Sequence, residues 1–583
     1  MSLSLADASG YNGTDADTRM MMEFTRHVKE AAVNLKTPQL SRRRLLQHSA
    51  AALSVVGMSR RSWGRSIGSA DIGVVVGEAT GQKIGMQVLA DGGNAVDAIV
   101  AAALVATVAS PAMTGIGGYG MTAVIAADDG RKIVAIDGNT VAPAAMPADL
   151  FQQPPVGKLP DGFSSTDSNS SIGWLSAGVP GILAGLQLAL DHFGTRGFAE
   201  VVKPAIALAR DGIPWTESLA SSVGDRRIFR SDSGSGKLFF PAGKPLSVGE
   251  RFRNPDLAAM LSELANANSV EAFYRGDIAQ CIADGFQKNG GLVTTQDLAS
   301  YGARLVEPLK MTRGQYSIYT APLTAGGLSI LQMLLTLQAM NWDQLPVGLL
   351  KTHARIEAMR LAWRDRLSLL GDPEFSDAPV TRLMSEDYAR DSAERIMAAV
   401  QAGKPLAHAV TRRPHTGTIH LSAADRHGNF AALTLTHGNT FGACVTVDGL
   451  GLTLGHGMSR FDPDPCHPNA PGPGKRPLHN MVPTIVTRDG KPVLAVGGTG
   501  GRKIPNGLFE VLTNFVVLDQ SMKESIAAPR LHTEGDMALA VEKAWPAEET
   551  TALRNLGYTV TNSGGATMSA VALENGEFHQ AKR

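Results

Sequence analysis

The most regular alternation in the chain runs from Thr418 to Thr436. Ile419 and Leu421 alternate with Thr418, His420 and Ser422, which predicts a strand with one apolar and one polar face. Asp425-Arg426-His427-Gly428-Asn429 is a cluster of turn formers. Leu433 and Leu435 then alternate with Thr434 and Thr436. A hairpin centred on His427 puts Thr418 opposite Thr436, and directly paired residues on an antiparallel ladder hold their Cβ atoms ~5 Å apart. Gly417 precedes the first threonine, where the backbone can adopt conformations closed to other residues. Threonine is a good strand former, so the pattern alone describes an ordinary structural hairpin.

Elsewhere the periodicity is mostly helical. Residues 95–109 are apolar on nearly every face, which predicts a buried helix, with Asn94 placed to cap it. Helices are also predicted over 82–90 and within 181–211, 254–267, 278–289 and 350–370. Strand-like runs lie at 121–126, 444–447, 484–487 and 493–496. The last opens into Gly497-Gly498-Thr499-Gly500-Gly501-Arg502 and a helical stretch at 508–518. Strand, glycine loop and helix N-terminus together make an anion-binding geometry. Polar stretches at 154–172 and 231–236 read as exposed or flexible loops, and 403–417 as a linker feeding Thr418. Gly115-Ile116-Gly117-Gly118-Tyr119-Gly120 matches GxGxxG in letters only. A dinucleotide fingerprint follows a strand and opens a helix, whereas a helix and Pro111 precede this one and a strand follows it.

Composition removes several function classes. Lys+Arg and Asp+Glu balance at 54 each in 583 residues, which argues against a nucleic-acid partner. Three cysteines, Cys281, Cys444 and Cys466, are too few and too scattered for a disulfide framework or a CxxC metal site. No apolar run reaches the ~20 residues of a membrane span. Seven of the 14 histidines lie between His415 and His479, at spacings that fit no HExxH-type metal site. Ser41-Arg42-Arg43-Arg44-Leu45-Leu46-Gln47 is similar to a twin-arginine export signal, with a weakly apolar run at 50–58 and small residues at 68–70. Export to a periplasmic or secreted location is the expectation; a basic tail on a cytoplasmic protein is its rival.

Seven motifs in register bear a wider likeness. Thr418-Ile419-His420-Leu421-Ser422, Thr434-Leu435-Thr436 with Phe441-Gly442, Lys475-Arg476-Pro477-Leu478 with Pro483-Thr484, and Gly500-Gly501 resemble the processing-site region of the γ-glutamyltransferase (glutathione hydrolase) family. So do Gly92-Gly93-Asn94-Ala95-Val96-Asp97-Ala98, Gly115-Ile116-Gly117-Gly118 and Thr324-Ala325-Gly326-Gly327 upstream. The likeness runs from about residue 71 to about 575. It implies a mixed α/β (α+β) fold, the four-layer αββα sandwich of N-terminal-nucleophile (Ntn) hydrolases. One precursor would be cut between Gly417 and Thr418, after a tail at 1–70, into a large subunit at 71–417 and a small one at 418–583. Thr418 would be the nucleophile with its own freed α-amine as base. Thr436 would orient it, and the Gly500 and Gly501 N–H groups would bind the oxyanion. No metal or organic cofactor is implied. The partners would be an amide or γ-glutamyl substrate and a water or amine acceptor.

The implied substrate pocket departs from the family. Asn139 stands where an arginine is expected for the α-carboxylate of a γ-glutamyl group. Arg460 precedes Phe461 where an aspartate is expected for the α-amine. His479 and Asn480 replace two serines, and Asn439 completes the substrate-binding set. Residues 462–474 hold five prolines and no aromatic residue, so the tyrosine lid of some relatives is missing. The swaps exchange a plus-and-minus pocket for a positive one. They leave open an acylase for carboxyacyl amides (glutaryl, succinyl or oxamyl) and a non-catalytic binding relative.

Overall fold

The computed structural model describes residues 72–152, 172–224, 227–407 and 417–583, all within the compact unit Ile67–Arg583. The arginine stretch at 41–47, nearly all of the loop at 154–172 and the linker residues 408–416 lie outside them.

The strands of the two large sheets are, in chain order, β1 (Gly73–Val76), β2 (Gly120–Ala127), β3 (Lys132–Asn139), β4 (Arg304–Val306), β5 (Leu309–Arg313) and β6 (Tyr316–Thr320). After Gly417 come β7 (Ile419–Asp425), β8 (Phe430–Thr436), β9 (Thr484–Arg488), β10 (Lys491–Thr499), β11 (Thr567–Glu574) and β12 (Glu577–Lys582). One sheet is ordered β1-β7-β8-β2-β3-β4 and the other β12-β11-β10-β9-β6-β5. Every pairing in both is antiparallel. The predicted hairpin forms in the predicted register, with Ile419 opposite Leu435 and Ala424 opposite Phe430.

The chief helices are α1 (Ala79–Ala90), α2 (Ala95–Ala109), α3 (Ile182–Phe193), α4 (Gly327–Ala339), α5 (Leu349–Leu369), α6 (Glu386–Gln401) and α7 (Lys503–Leu512). Ile419, Leu421, Leu433 and Leu435 pack outward against α2 and α3. Ile318, Val486, Leu494 and Val496 pack outward against α4, α5 and α7. Val74, Val124, Phe430 and Ala432 meet Ile485, Ala495 and Val571 between the sheets. These three apolar layers make the four-layer αββα sandwich.

Helix α2 is buried along its length, as its all-round apolar pattern requires, and each Val, Ile or Leu so buried contributes about 1.5–3 kcal/mol. Its N-terminus is closed by a capping box, with Asn94 Oδ1 accepting from Val96 and Asp97 N–H and Asp97 Oδ2 from Asn94 N–H, all at 2.9 Å. Asp425 joins this end to the hairpin. One of its oxygens accepts from Ala95 N–H at 2.8 Å; the other accepts from His427 and Asn429 N–H across the turn, at 2.8 and 3.1 Å.

Two local readings need correction. Residues 231–236 are not a flexible stretch: Asp232 caps the helix Ser233–Phe239, and its carboxylate also accepts from Thr446 N–H at 3.0 Å. The helix after the glycine loop begins at Lys503, five residues earlier than its apolar pattern, because the loop itself supplies the turn. The polar face of β7 is enclosed as well as its apolar one. Every residue of β7 and β8 is buried, since a second sheet covers that face.

Candidate active site

A polar face between two sheets must satisfy itself. His420 does so with its neighbours, Nδ1 pairing with Thr434 Oγ1 at 2.8 Å and Nε2 with Ser422 Oγ at 2.9 Å. Its ring packs against Gly497 of β10, where a Cβ would fall 2.3 Å from the imidazole. Its N–H donates to Thr499 Oγ1 at 3.1 Å. The nucleophile strand is thereby pinned beside the glycine loop. Gly500 and Gly501, at φ +137° and +60°, carry the chain from β10 into α7. Neither N–H has an acceptor among the described residues.

Thr418 sits at the open end of β7, 4% exposed. Its hydroxyl donates to the Gly417 carbonyl at 2.7 Å and lies 3.4 Å from the Thr436 hydroxyl. Thr436 also donates to the Gly417 carbonyl and accepts from Gly438 N–H at 2.7 Å. Two hydroxyls thus converge on one peptide carbonyl. Gly417, at φ +108°, lies against the Asn439 backbone, where a Cβ would come within 2.9 Å of the carbonyl carbon. That contact is how Asn439 bears on the cut site.

A cleft is lined by Trp363, Arg366, Ser459, Arg460, Asn480 and Arg502, among others. Arg460 does not point to solvent. Its Nη2 donates to the Gly438 carbonyl at 2.6 Å and to His456 Nε2 at 3.2 Å, and its guanidinium lies 5.6 Å over the Tyr119 ring. Gly438, at φ +96°, has no room for a Cβ, which would fall 2.3 Å from His456 and 2.9 Å from Arg460. The path Arg460–Gly438–Thr436–Gly417 ties the cleft to the threonine pair. Arg366 on α5 is 2% exposed and donates to the His479 carbonyl at 2.6 Å and the Ala325 carbonyl at 3.4 Å. Burial, with the Arg502 charge nearby, holds it down at about 10.

Two predicted pocket residues stand behind the cleft instead of facing it. Asn139 is fully buried, and its Nδ2 donates to Thr324 Oγ1 and to the Pro477 carbonyl, both at 2.8 Å. It ties β3 to two loops, through Thr324 and Pro477. His479 turns its ring toward Thr122, at 3.5 Å, and only its carbonyl reaches Arg366. Asn480 does line the cleft. Sequence reasoning missed Arg366 and Gly438 as parts of the site. Arg366 gives no local signal inside a charged helical run; Arg502 shows itself only by following the glycine pair.

Burial holds the rings of His420, His437 and His479 at about 3, so all three are neutral near pH 7. None can act as a base that titrates near neutrality. Unfolded, each protonates near ~6.5. Their contribution to stability is therefore complete above that pH and is lost as pH falls toward 3. The slope is ~1.4 kcal/mol per pH unit for each ring, about 4 for the three together. Melting at pH 5 should lie several degrees below melting at pH 7. Equal melting temperatures would mean that these rings are charged in the fold.

Among the described residues, no group of three His, Cys, Asp or Glu side chains is placed to hold a metal, and no helix is long and apolar enough to cross a membrane.

A family model described as gamma-glutamyltranspeptidase matches residues 81–582. The Acylase ACY 1 proenzyme of Pseudomonas sp. (strain V22) is 34% identical over 508 residues, covering 86% of this chain and 89% of that protein. The glutathione hydrolase proenzyme of Escherichia coli (strain K12) is 33% identical over 527 residues, covering 86% and 88%. Among solved structures, cephalosporin acylase from Bacillus halodurans is similar at a TM-score of 0.77 and 25% identity, over 91% of this chain and 98% of that one. With matches that run through both sheets and across Gly417–Thr418, the chain belongs to the γ-glutamyltranspeptidase family of Ntn-type enzymes.

Proposed function

We propose that the protein is a self-processing amidohydrolase or acyltransferase that cleaves γ-glutamyl-type amides through an acyl-enzyme on Thr418. The convergence of the Thr418 and Thr436 hydroxyls on the Gly417 carbonyl carries this reading. In maturation, Thr418 Oγ attacks the Gly417 carbonyl carbon, and its proton passes to the Thr418 nitrogen as the C–N bond breaks. Water then opens the resulting ester, leaving a Gly417 carboxylate and a Thr418 with a free hydroxyl and α-amine. In turnover the α-amine, with an unperturbed pKa of ~8, takes the hydroxyl proton. Oγ attacks the substrate amide carbon, the Gly500 and Gly501 N–H groups stabilise the oxyanion, and the amine leaves with the proton. Water or an amine acceptor releases the acyl group. The large subunit spans 71–417 and the small one 418–583. The stretch at 41–47 directs export to a periplasmic or secreted location, with residues 1–70 removed. No metal or organic cofactor takes part.

The position of Arg460 favours a second reading, that the acyl group carries a carboxylate and no amine. A γ-glutamyl ammonium group facing Arg460 would be repelled by ~4 kcal/mol at 4 Å with an effective dielectric of 20. A carboxylate there would be attracted. The relatives named acylases agree with this reading. The test is a donor screen on processed protein, setting glutathione and γ-glutamyl anilide against glutaryl, succinyl and oxamyl amides. Arg460→Asp should lower kcat/KM on glutaryl amides by ~100-fold or more and raise it on γ-glutamyl donors, as the ~4 kcal/mol repulsion becomes attraction. A wild-type preference for glutathione that Arg460→Ala leaves unchanged would return the enzyme to ordinary glutathione hydrolysis. A processed protein that cleaves none of these donors would be a binding relative.

A further inference from the structure

Three guanidinium groups meet in the cleft from separate elements: Arg366 on α5, Arg460 on the 3₁₀ turn Gly457–Arg460, and Arg502 directly after Gly501. Among the described residues, Arg366 donates only to backbone carbonyls, and Arg460 only to a carbonyl and to His456. The Nε of Arg460, buried, has no acceptor among the described residues. Arg502 alone has a carboxylate, Glu534, at 2.8 Å, and stacks over Trp363 at 5.9 Å. Asp462 also lines the cleft, with one oxygen engaged by Asp464 N–H. Three guanidiniums against the carboxylates of Asp462 and Glu534 leave the cleft one positive charge.

Buried cations without a partner are costly, and their gathering adds mutual repulsion. A planar guanidinium presents donors on more than one edge. Glu534 engages one edge of Arg502 and holds it still, so that another edge can meet a second carboxylate. Arg460 reaches the same cleft from the side of Thr436, and Arg502 from the side of the glycine loop.

We propose that Arg502 is a specificity-determining residue that clamps, together with Arg460, the terminal carboxylate of a dicarboxylic acid monoamide. This rests on the carboxyacyl reading of the site. It makes Arg502, one residue beyond the glycine pair, a gauge of where the acyl chain ends relative to the attacked carbonyl. Glu534 is then a positioning residue that acts through Arg502.

The experiment compares Arg502→Gln and Glu534→Gln with the unaltered, processed enzyme on glutaryl anilide and on the uncharged valeryl anilide, with glutarate as a competitive inhibitor. Arg502→Gln should raise KM for glutaryl anilide and Ki for glutarate about ten- to hundredfold, the worth of one charge-assisted hydrogen bond. The rise should be specific to the carboxylate: KM for valeryl anilide, which has none, should change far less. Glu534→Gln should raise KM for glutaryl anilide by a smaller factor than Arg502→Gln, because the guanidinium stays but is no longer held in place. Equal damage from the two variants, or a loss on both substrates, would make the ion pair merely structural and overturn the clamp. Glutaryl turnover unaffected by Arg502→Gln would overturn it while leaving the carboxyacyl reading intact. A wild-type enzyme that cleaves γ-glutamyl but not glutaryl anilide would overturn both.

Discussion

Thr418→Ala is expected to stay one chain and to lose all amide cleavage. The unaltered protein should separate into two, the smaller beginning at Thr418 and holding the 166 residues that remain when 417 are taken from 583. The expectation follows from geometry: the Thr418 hydroxyl is 2.7 Å from the carbonyl oxygen of the bond to be broken, and the Thr436 hydroxyl donates to the same oxygen. Alanine removes the attacking oxygen and nothing that the core needs, so the variant should fold. Turnover should fall by ~10⁴-fold or more, the scale seen when a covalent nucleophile is deleted. N-terminal sequencing and a γ-glutamyl or glutaryl anilide assay decide it together. Wild type found intact yet fully active would remove Thr418 from the mechanism.

Thr436→Val should have the next largest effect. The hydroxyl of Thr436 accepts from Gly438 N–H and donates to the Gly417 carbonyl, and the residue is 1% exposed. Valine keeps the shape, leaves the Gly438 N–H unpaired at a cost of about 1–3 kcal/mol, and leaves the Gly417 carbonyl only the Thr418 hydroxyl as donor. Processing should slow by about 10²–10³-fold, since the lost hydroxyl is a donor aimed at the oxygen that gains charge during attack. Thr436→Ser, which restores the hydroxyl, should recover most of the rate. A time course of fragment appearance on a denaturing gel reads both variants. If valine processes as fast as threonine, the carbonyl is polarised by another group.

Much of the site was legible because its chemistry lies within short stretches of chain. The hairpin register from Thr418 to Thr436 follows from a period of two and a turn centred on His427, both local properties. The capping of α2 by Asn94 and the display of Gly500 and Gly501 before a helix are likewise readable from neighbours in sequence. The departure at Arg460 was visible as a letter, and the structure places that guanidinium in the cleft.

What tertiary packing decided is of another kind. That β7 and β8 are sheathed on both faces could not be read from their alternation. The covering sheet is brought by residues 309–320 and 484–582, and this burial makes His420 a neutral strut between two hydroxyls. Asn139 and His479 occupy expected positions in the chain, yet packing turns their side chains behind the cleft. Arg366 enters the site from a helix some fifty residues before the cut, in a stretch whose pattern gives no sign of it. Strand and helix periods, caps and turns are written at separations of two to four residues, so the sequence alone determined the hairpin, the helices and the threonine pair. The cleft's positive charge is assembled across separations of about 40 to 140 residues, where only the stacking of two sheets brings the groups together.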